Sequence, residues 1–142
     1  MMPGDPVLDE LLARCRRDHH AWINGDASGY ALPEDGTVMG AVGGHSFGGP
    51  ETAKRQQMVA SQWKSGTGEV EFLNGGVARD VAWLAMIERA SVVLDDDIGE
   101  QRWDVRVTEV FRRTPDGWER VHRHADPLVD RRSPVEAAFL LA

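Results

Sequence analysis

The stretch Arg102–Pro127, RWDVRVTEVFRRTPDGWERVHRHADP, reads as two long strands joined by a tight turn. Thr114-Pro115-Asp116-Gly117 supplies the turn, because proline presets φ and glycine accepts a positive φ. Before it, Trp103, Val105, Val107 and Phe111 alternate with Asp104, Arg106, Thr108 and Arg112, the period of a strand with one apolar face. After it, Trp118, Arg120, His122 and His124 alternate with Glu119, Val121, Arg123 and Ala125. A hairpin that closes Arg113 onto Trp118 sets Phe111 opposite Arg120, Glu109 opposite His122 and Val107 opposite His124. All six then share the face of Trp103 and Val105, the one that needs burial. The expectation is a carboxylate and two histidines inside an apolar interior. It depends on an unbroken register, since a one-residue bulge reverses the faces of one strand.

Working back from the hairpin, Asp80 to Leu94 reads as a second long strand, preceded by a shorter one at Glu69 to Leu73 and a turn at Asn74-Gly75-Gly76. The longer strand is apolar on both faces: Ala82, Leu84, Met86, Ala90 and Val92 on one, Val81, Trp83, Ala85, Ile87 and Val93 on the other. Such a strand is covered on both sides. Helices supply one cover and a second copy of the chain is expected to supply the other, which predicts a homodimer. Glu88 and Arg89 point to opposite faces, with Glu88 favoured as the inward one. Asp95 to Glu100 is an acidic connection without the spacing of a calcium loop, and is expected to be a solvated turn.

The chain opens with a helix. Asp5 caps it, Pro6 suits its first position, and Leu8, Leu11, Leu12, Cys15, His19, Trp22 and Ile23 recur at helical spacing until Asn24-Gly25 ends it. Cys15 lies in that stripe, so it reads as core rather than nucleophile. His19 reads as a core-edge residue, Arg16 and His20 as solvated. A short helical turn over Asp26 to Tyr30 follows. Pro33 to Pro50 is rich in glycine, with a short strand at Thr37-Val38-Met39 and with His45 overhanging a pocket or exposed; it has neither the P-loop ending nor the dinucleotide pattern. A second helix starts at Gly49-Pro50-Glu51 and runs to about Lys64, with Val59, Trp63 and Gln56 inward. Ser133-Pro134 starts a last short helix, VEAAFLLA.

At 142 residues the chain is one domain, 1–142, with 129–142 a tail or short helix. Hydrophobic residues are 42% and charged ones 27%, ordinary for a globular protein. A net charge of −7 argues against a nucleic-acid partner, and no basic run suggests an anionic membrane. One cysteine excludes an internal disulfide and a cysteine-rich zinc site. No apolar run reaches transmembrane length and MMPGDPVLDE is acidic, so a cytoplasmic location is expected. The element order predicts an α+β fold, a curved antiparallel sheet forming a cone with the N-terminal helices packed on its concave face.

The order of elements, together with Ile23-Asn24-Gly25-Asp26, Val81-Ala82-Trp83, Ile87-Glu88-Arg89, Val107 to Arg113 and Trp118-Glu119-Arg120-Val121-His122-Arg123-His124, resembles the SnoaL-like branch of the nuclear transport factor 2 superfamily over roughly residues 5 to 128. Ketosteroid isomerases and the association domain of calcium/calmodulin-dependent protein kinase II share that fold. The resemblance implies a cone that hosts either chemistry or association. Where ketosteroid isomerases carry their oxyanion tyrosine this chain has Asp18, and where they carry their general base it has Gly40. Where the kinase domain carries its pocket arginine, this chain has Glu109. The SnoaL-type cyclases use an acid and a histidine without metal or cofactor.

On the residues alone, Glu109 facing His122, with His124 beside it, makes a general acid/base set. The same residues also read as a pair that only orders the strands. His122 and His124 with Glu109 or Glu88 are the metal set the residues offer, and neither metal nor cofactor is expected. Trp22, Tyr30, Met39, Trp63, Met86 and Glu88 are expected to line a ligand pocket. Two functions follow: a cofactor-free acid/base enzyme (isomerase, cyclase or hydrolase type) acting on a small, largely apolar molecule, or a non-catalytic homodimer that binds a ligand or associates.

Overall fold

The computed structural model describes residues 4–94 and 98–141. Helix α1 (Pro6–Trp22) begins where Asp5 accepts hydrogen bonds from the amides of Val7 and Leu8, satisfying two donors that the first turn leaves free. A 3-10 turn (Ser28–Tyr30) follows, then β1 (Thr37–Met39), β2 (Ser46–Phe47), α2 (Pro50–Ala60), β3 (Trp63–Ala78) and β4 (Val81–Leu94). The chain finishes with β5 (Glu100–Arg102), β6 (Val105–Thr114), β7 (Gly117–Pro127) and α3 (Pro134–Leu141). The fold is α+β: one curved, open sheet of order β2-β1-β7-β6-β4-β3, with β5 also paired to β4. The sheet is mixed rather than wholly antiparallel, because β1 runs parallel to β7. No hairpin links those two strands, so nothing forces them to run opposite ways.

The concave face holds the core. Leu8, Leu11 and Cys15 of α1 pack on Leu84 and Met86 of β4 and on Val107 and Phe111 of β6. A second cluster joins Ile23 and Ala60 to Trp63, Ala90 and Val92. Along β4 the inward residues are buried, whereas Val81 and Trp83 on the outer face remain 47% and 40% exposed.

Three elements differ from expectation. Asn74-Gly75-Gly76 is no turn: β3 runs through it to Ala78, and the chain reverses at Arg79-Asp80, where Arg79 takes φ 55°. The glycines serve close approach instead, since a Cβ on Gly75 would lie 2.6 Å from the Trp83 carbonyl oxygen. Helix α2 stops at Ala60, and β3 starts at Trp63 rather than Glu69. In the β6–β7 hairpin, Thr114 pairs with Gly117, Arg113 with Trp118 and Phe111 with Arg120, as expected. The register then shifts by one residue at Val121, so Val110 pairs with His122, Glu109 with Arg123, Thr108 with His124 and Val107 with Ala125. A single bulge thereby sends both histidines to the outer face and brings Arg123 inside.

Ser133 caps α3 reciprocally with Glu136, each side chain accepting from the other's amide. Residues 1–3 and Asp95, Asp96 and Asp97 of the expected acidic connection lie outside the described residues. No helix among the described residues is long and apolar enough to cross a membrane.

Candidate functional site

The bulge assembles a buried ionic network. The Arg120 side chain is fully buried; its Nη2 donates to Asp18 Oδ2 at 3.0 Å and Glu109 Oε1 at 3.1 Å, and its Nη1 donates to the Gly29 carbonyl at 2.6 Å. Arg123 Nη1 donates to Glu109 Oε2 and to Glu88 Oε2, both at 3.0 Å, and Nη2 donates to Glu88 Oε1 at 2.9 Å. The Cys15 thiol donates to Glu109 Oε1 at 3.1 Å. The Tyr30 ring lies 4.8 and 4.7 Å from the two guanidinium carbons. Gly29 leaves room here for the Asp18 carboxylate, which a Cβ at that position would displace.

Charge explains the protonation states. Burial pushes the Glu109 carboxyl up, but Arg120 and Arg123 beside it outweigh burial and hold it at about 2. Burial lowers both guanidinium pKa values and the surrounding carboxylates more than reverse this, so Arg120 and Arg123 stay charged. Burial, reinforced by Glu109, raises the Cys15 thiol, which is therefore a hydrogen-bond donor and no nucleophile. The Tyr30 hydroxyl is likewise raised by burial. His19 Nε2 sits 4.0 Å from Glu88 Oε1 without a hydrogen-bond partner. Burial lowers its pKa against the pull of Glu88, so the ring is held neutral.

Above this network the cone opens into a cavity of about 170 Å³. Trp22, Tyr30, Trp103, Val105 and Ala125 form its apolar wall, the 40–46 loop and α2 form its mouth, and Arg123 forms the polar part of its floor. The aromatic wall is braced: Trp22 meets Tyr30 edge-on at 5.7 Å, and Trp103 meets Trp63 at 4.7 Å. Of the ionic network only Arg123, with a side chain 16% exposed, reaches the cavity.

Residues 15–130 match the family model of the SnoaL-like domain. The chain belongs to the SnoaL-like family. Solved structures agree in fold. A nuclear transport factor 2-like superfamily protein of Salmonella enterica superposes with a TM-score of 0.77 at 16% identity, covering 90% of this chain and 95% of that one. A candidate dehydratase of the NTF2-like family from Streptomyces avermitilis gives 0.72 at 20% identity, over 91% and 100%. A ketosteroid isomerase-like protein from Erwinia carotovora gives 0.70 at 13% identity, over 87% and 95%. At these identities the likeness is one of fold. No curated protein matches the sequence.

Within this SnoaL-like cone, Glu109 is inside and fully buried, but its partners are arginines rather than histidines. The expected Glu109–His122–His124 set is not assembled. His122 lies on the other face, its Nδ1 2.7 Å from the Thr37 hydroxyl, and His124 is exposed beside Asp126. The same bulge separates the histidines from Glu109 and Glu88 as a metal set, and among the described residues no three such side chains converge. Trp22 and Tyr30 line the cavity. Met39 is 41% exposed on β1, Trp63 stands behind Trp103, and Met86 is core beneath α1. Glu88 faces inward, as favoured, but is held under Arg123 rather than at the cavity wall. Sequence reasoning named Asp18 only as the residue at the oxyanion-tyrosine position and gave it no part in the site, although it stands three residues after Cys15 and four before Trp22 on the apolar stripe. It placed Arg120 on the inner face without assigning it a role, and missed Arg123, whose side the bulge decides.

Proposed function

We propose that this SnoaL-like protein takes a small, largely apolar molecule into its cone. The observation that carries this is the cavity itself: three aromatic rings and a set of aliphatic side chains, Val105 and Ala125 among them, around a floor with one guanidinium. At about 170 Å³ it falls below the roughly 300–1,000 Å³ of drug-sized sites, which suits a ligand of one or two rings. Arg123 and Tyr30 offer donors to a carbonyl oxygen, and Glu109 acts behind them by positioning Arg123. Cofactor-free isomerase, cyclase or hydrolase chemistry would use those donors, with His45 as the base lining the same cavity. Thermal-shift screening of a metabolite library tests the reading: stabilising compounds should act on the wild type and lose their effect in Val59→Trp, which fills the mouth. No stabilising compound, or equal stabilisation of both proteins, overturns it.

A second reading, a non-catalytic homodimer, is favoured by the outer sheet face, where Leu73, Val81 and Trp83 stand 40–48% exposed. Sedimentation at micromolar concentration should give a dimer, and Trp83→Arg a monomer. A monomeric wild type removes this reading without touching the cavity.

A further inference from the structure

The geometry points to a carboxylate-bearing ligand, an aromatic or alicyclic acid, bound with its ring in the cone and its carboxylate at the mouth on Arg55. This rests on the cavity reading above and specifies what the cavity takes. Helix α2 presents Thr52, Arg55, Gln56 and Val59 to the cavity, the spacing of one helical face. Thr52 is used internally, donating to the Phe47 carbonyl. Arg55 is not: among the described residues it meets no carboxylate. Glu51 stands four residues earlier, the spacing of a helical ion pair, yet among the described residues it makes no ion pair with Arg55. The guanidinium instead turns along the mouth, where Nη1 donates to the Ser46 hydroxyl at 2.5 Å.

The two guanidinium groups that line the cavity therefore differ. Arg123 is neutralised by Glu88 and Glu109, in a network where three carboxylates (Asp18, Glu88 and Glu109) meet three guanidiniums (Arg14, Arg120 and Arg123) and His19 is neutral. That floor is already balanced and has no spare positive charge to hold an anion. Arg55, which meets no carboxylate among the described residues, keeps its positive charge at the other end, bonded to the Ser46 hydroxyl and with Gln56 lining the same cavity. This sets the orientation: apolar body inward, anion outward. One guanidinium with two neutral groups suits a monoanion in bidentate geometry, which is a carboxylate rather than a phosphate dianion.

Calorimetric titration of the full chain near neutral pH and low salt, with 2-naphthoate, 2-naphthamide and 2-naphthyl phosphate, tests this. Naphthoate should bind at least about tenfold more tightly than the amide, the difference a charge-assisted pair supplies. Arg55→Gln, an exposed helix position, should bring naphthoate down to the amide's affinity and leave the amide unchanged. Acid and amide binding equally well, or Arg55→Gln weakening both alike, overturns the acid inference and leaves the cavity reading standing. Tighter binding of the phosphate overturns the carboxylate assignment. Binding of none of the three overturns the cavity reading and this inference with it.

Discussion

The two faces of the β6–β7 hairpin use the same residue types for different ends. On the inner face Glu109 is enclosed by Arg120 and Arg123, with Glu109 and Arg120 fully buried. On the outer face Arg106 and Asp126 form a bidentate pair at 2.7 and 3.0 Å, with side chains 57% and 38% exposed. The comparison teaches that geometry alone does not rank ion pairs. A charge withdrawn from water must be matched by its partners or it destabilises the fold, whereas an exposed charge keeps its hydration whether or not the partner remains.

The largest consequence falls on Arg120. Arg120→Ala leaves Glu109 with one guanidinium and Asp18 with Arg14 alone, 3.8 Å away at the network's edge. Removing one partner of a buried pair costs about 3–5 kcal/mol, to be read from urea denaturation. The double variant Arg120→Met with Glu109→Leu should recover much of that loss, since it removes the stranded carboxylate. A single-variant loss under 1 kcal/mol would show that water enters the network and that the two faces are alike.

Acid should separate the faces next. The folded Glu109 pKa lies below its ordinary 4.5, so its stabilisation is complete above that pH and is lost as the pH falls from 4.5 toward 2. His19 also lies below its ordinary 6.5, with Glu88, Arg123, His20 and Glu109 as the charges around it. Below 6.5 the unfolded chain takes up a proton that the folded ring resists, so stability declines there as well. Unfolding free energy should fall in two stages on acidification. His19→Gln should flatten the upper stage and leave the lower one; an unchanged upper stage would show that His19 is not its source.

How much of this was legible follows from where each signal sits. Capping by Asp5, the stripe through Leu8, Leu11 and Cys15 and the turn at Thr114 to Gly117 are local, and the fold could be read from them. The inner face of β6 was equally plain from Val105, Val107 and Phe111. The site depended on one unpaired residue, Val121, and an apolar residue at a bulge carries no turn signal of its own. Past it, His122 and Arg123 trade faces, and an acid/base pair becomes an ion-pair network. The glycine run at Asn74 failed for a related reason: Gly75 serves the approach of Trp83, a contact sequence spacing does not announce.

His122 gives a smaller effect and tests the register directly. Its ring meets the Thr37 hydroxyl in a half-buried hydrogen bond, so His122→Ala should cost about 0.5–1.5 kcal/mol. In double-mutant cycles it should couple to Thr37→Ala and add independently to Glu109→Gln. Coupling to Glu109 instead would restore the unbroken register and bring the histidine back inside.

The smallest effect belongs to Arg106 and Asp126, and it depends on what lies over the outer face. In a free chain their coupling, from a cycle of Arg106→Ala and Asp126→Ala, should be about 0.2–1 kcal/mol and should shrink as salt is added. Both residues share their face with Leu73 and Ile87, next to the apolar strip that ends in Trp83. If a second copy covers that strip, the pair loses solvent and its coupling rises in the wild type, while a Trp83→Arg background keeps the exposed value. Measuring the cycle in both backgrounds therefore separates the intrinsic weakness of the pair from its setting. Equal small couplings in the two would mean that the outer face stays open to water, and that the contrast between the faces of this hairpin holds in the protein at work.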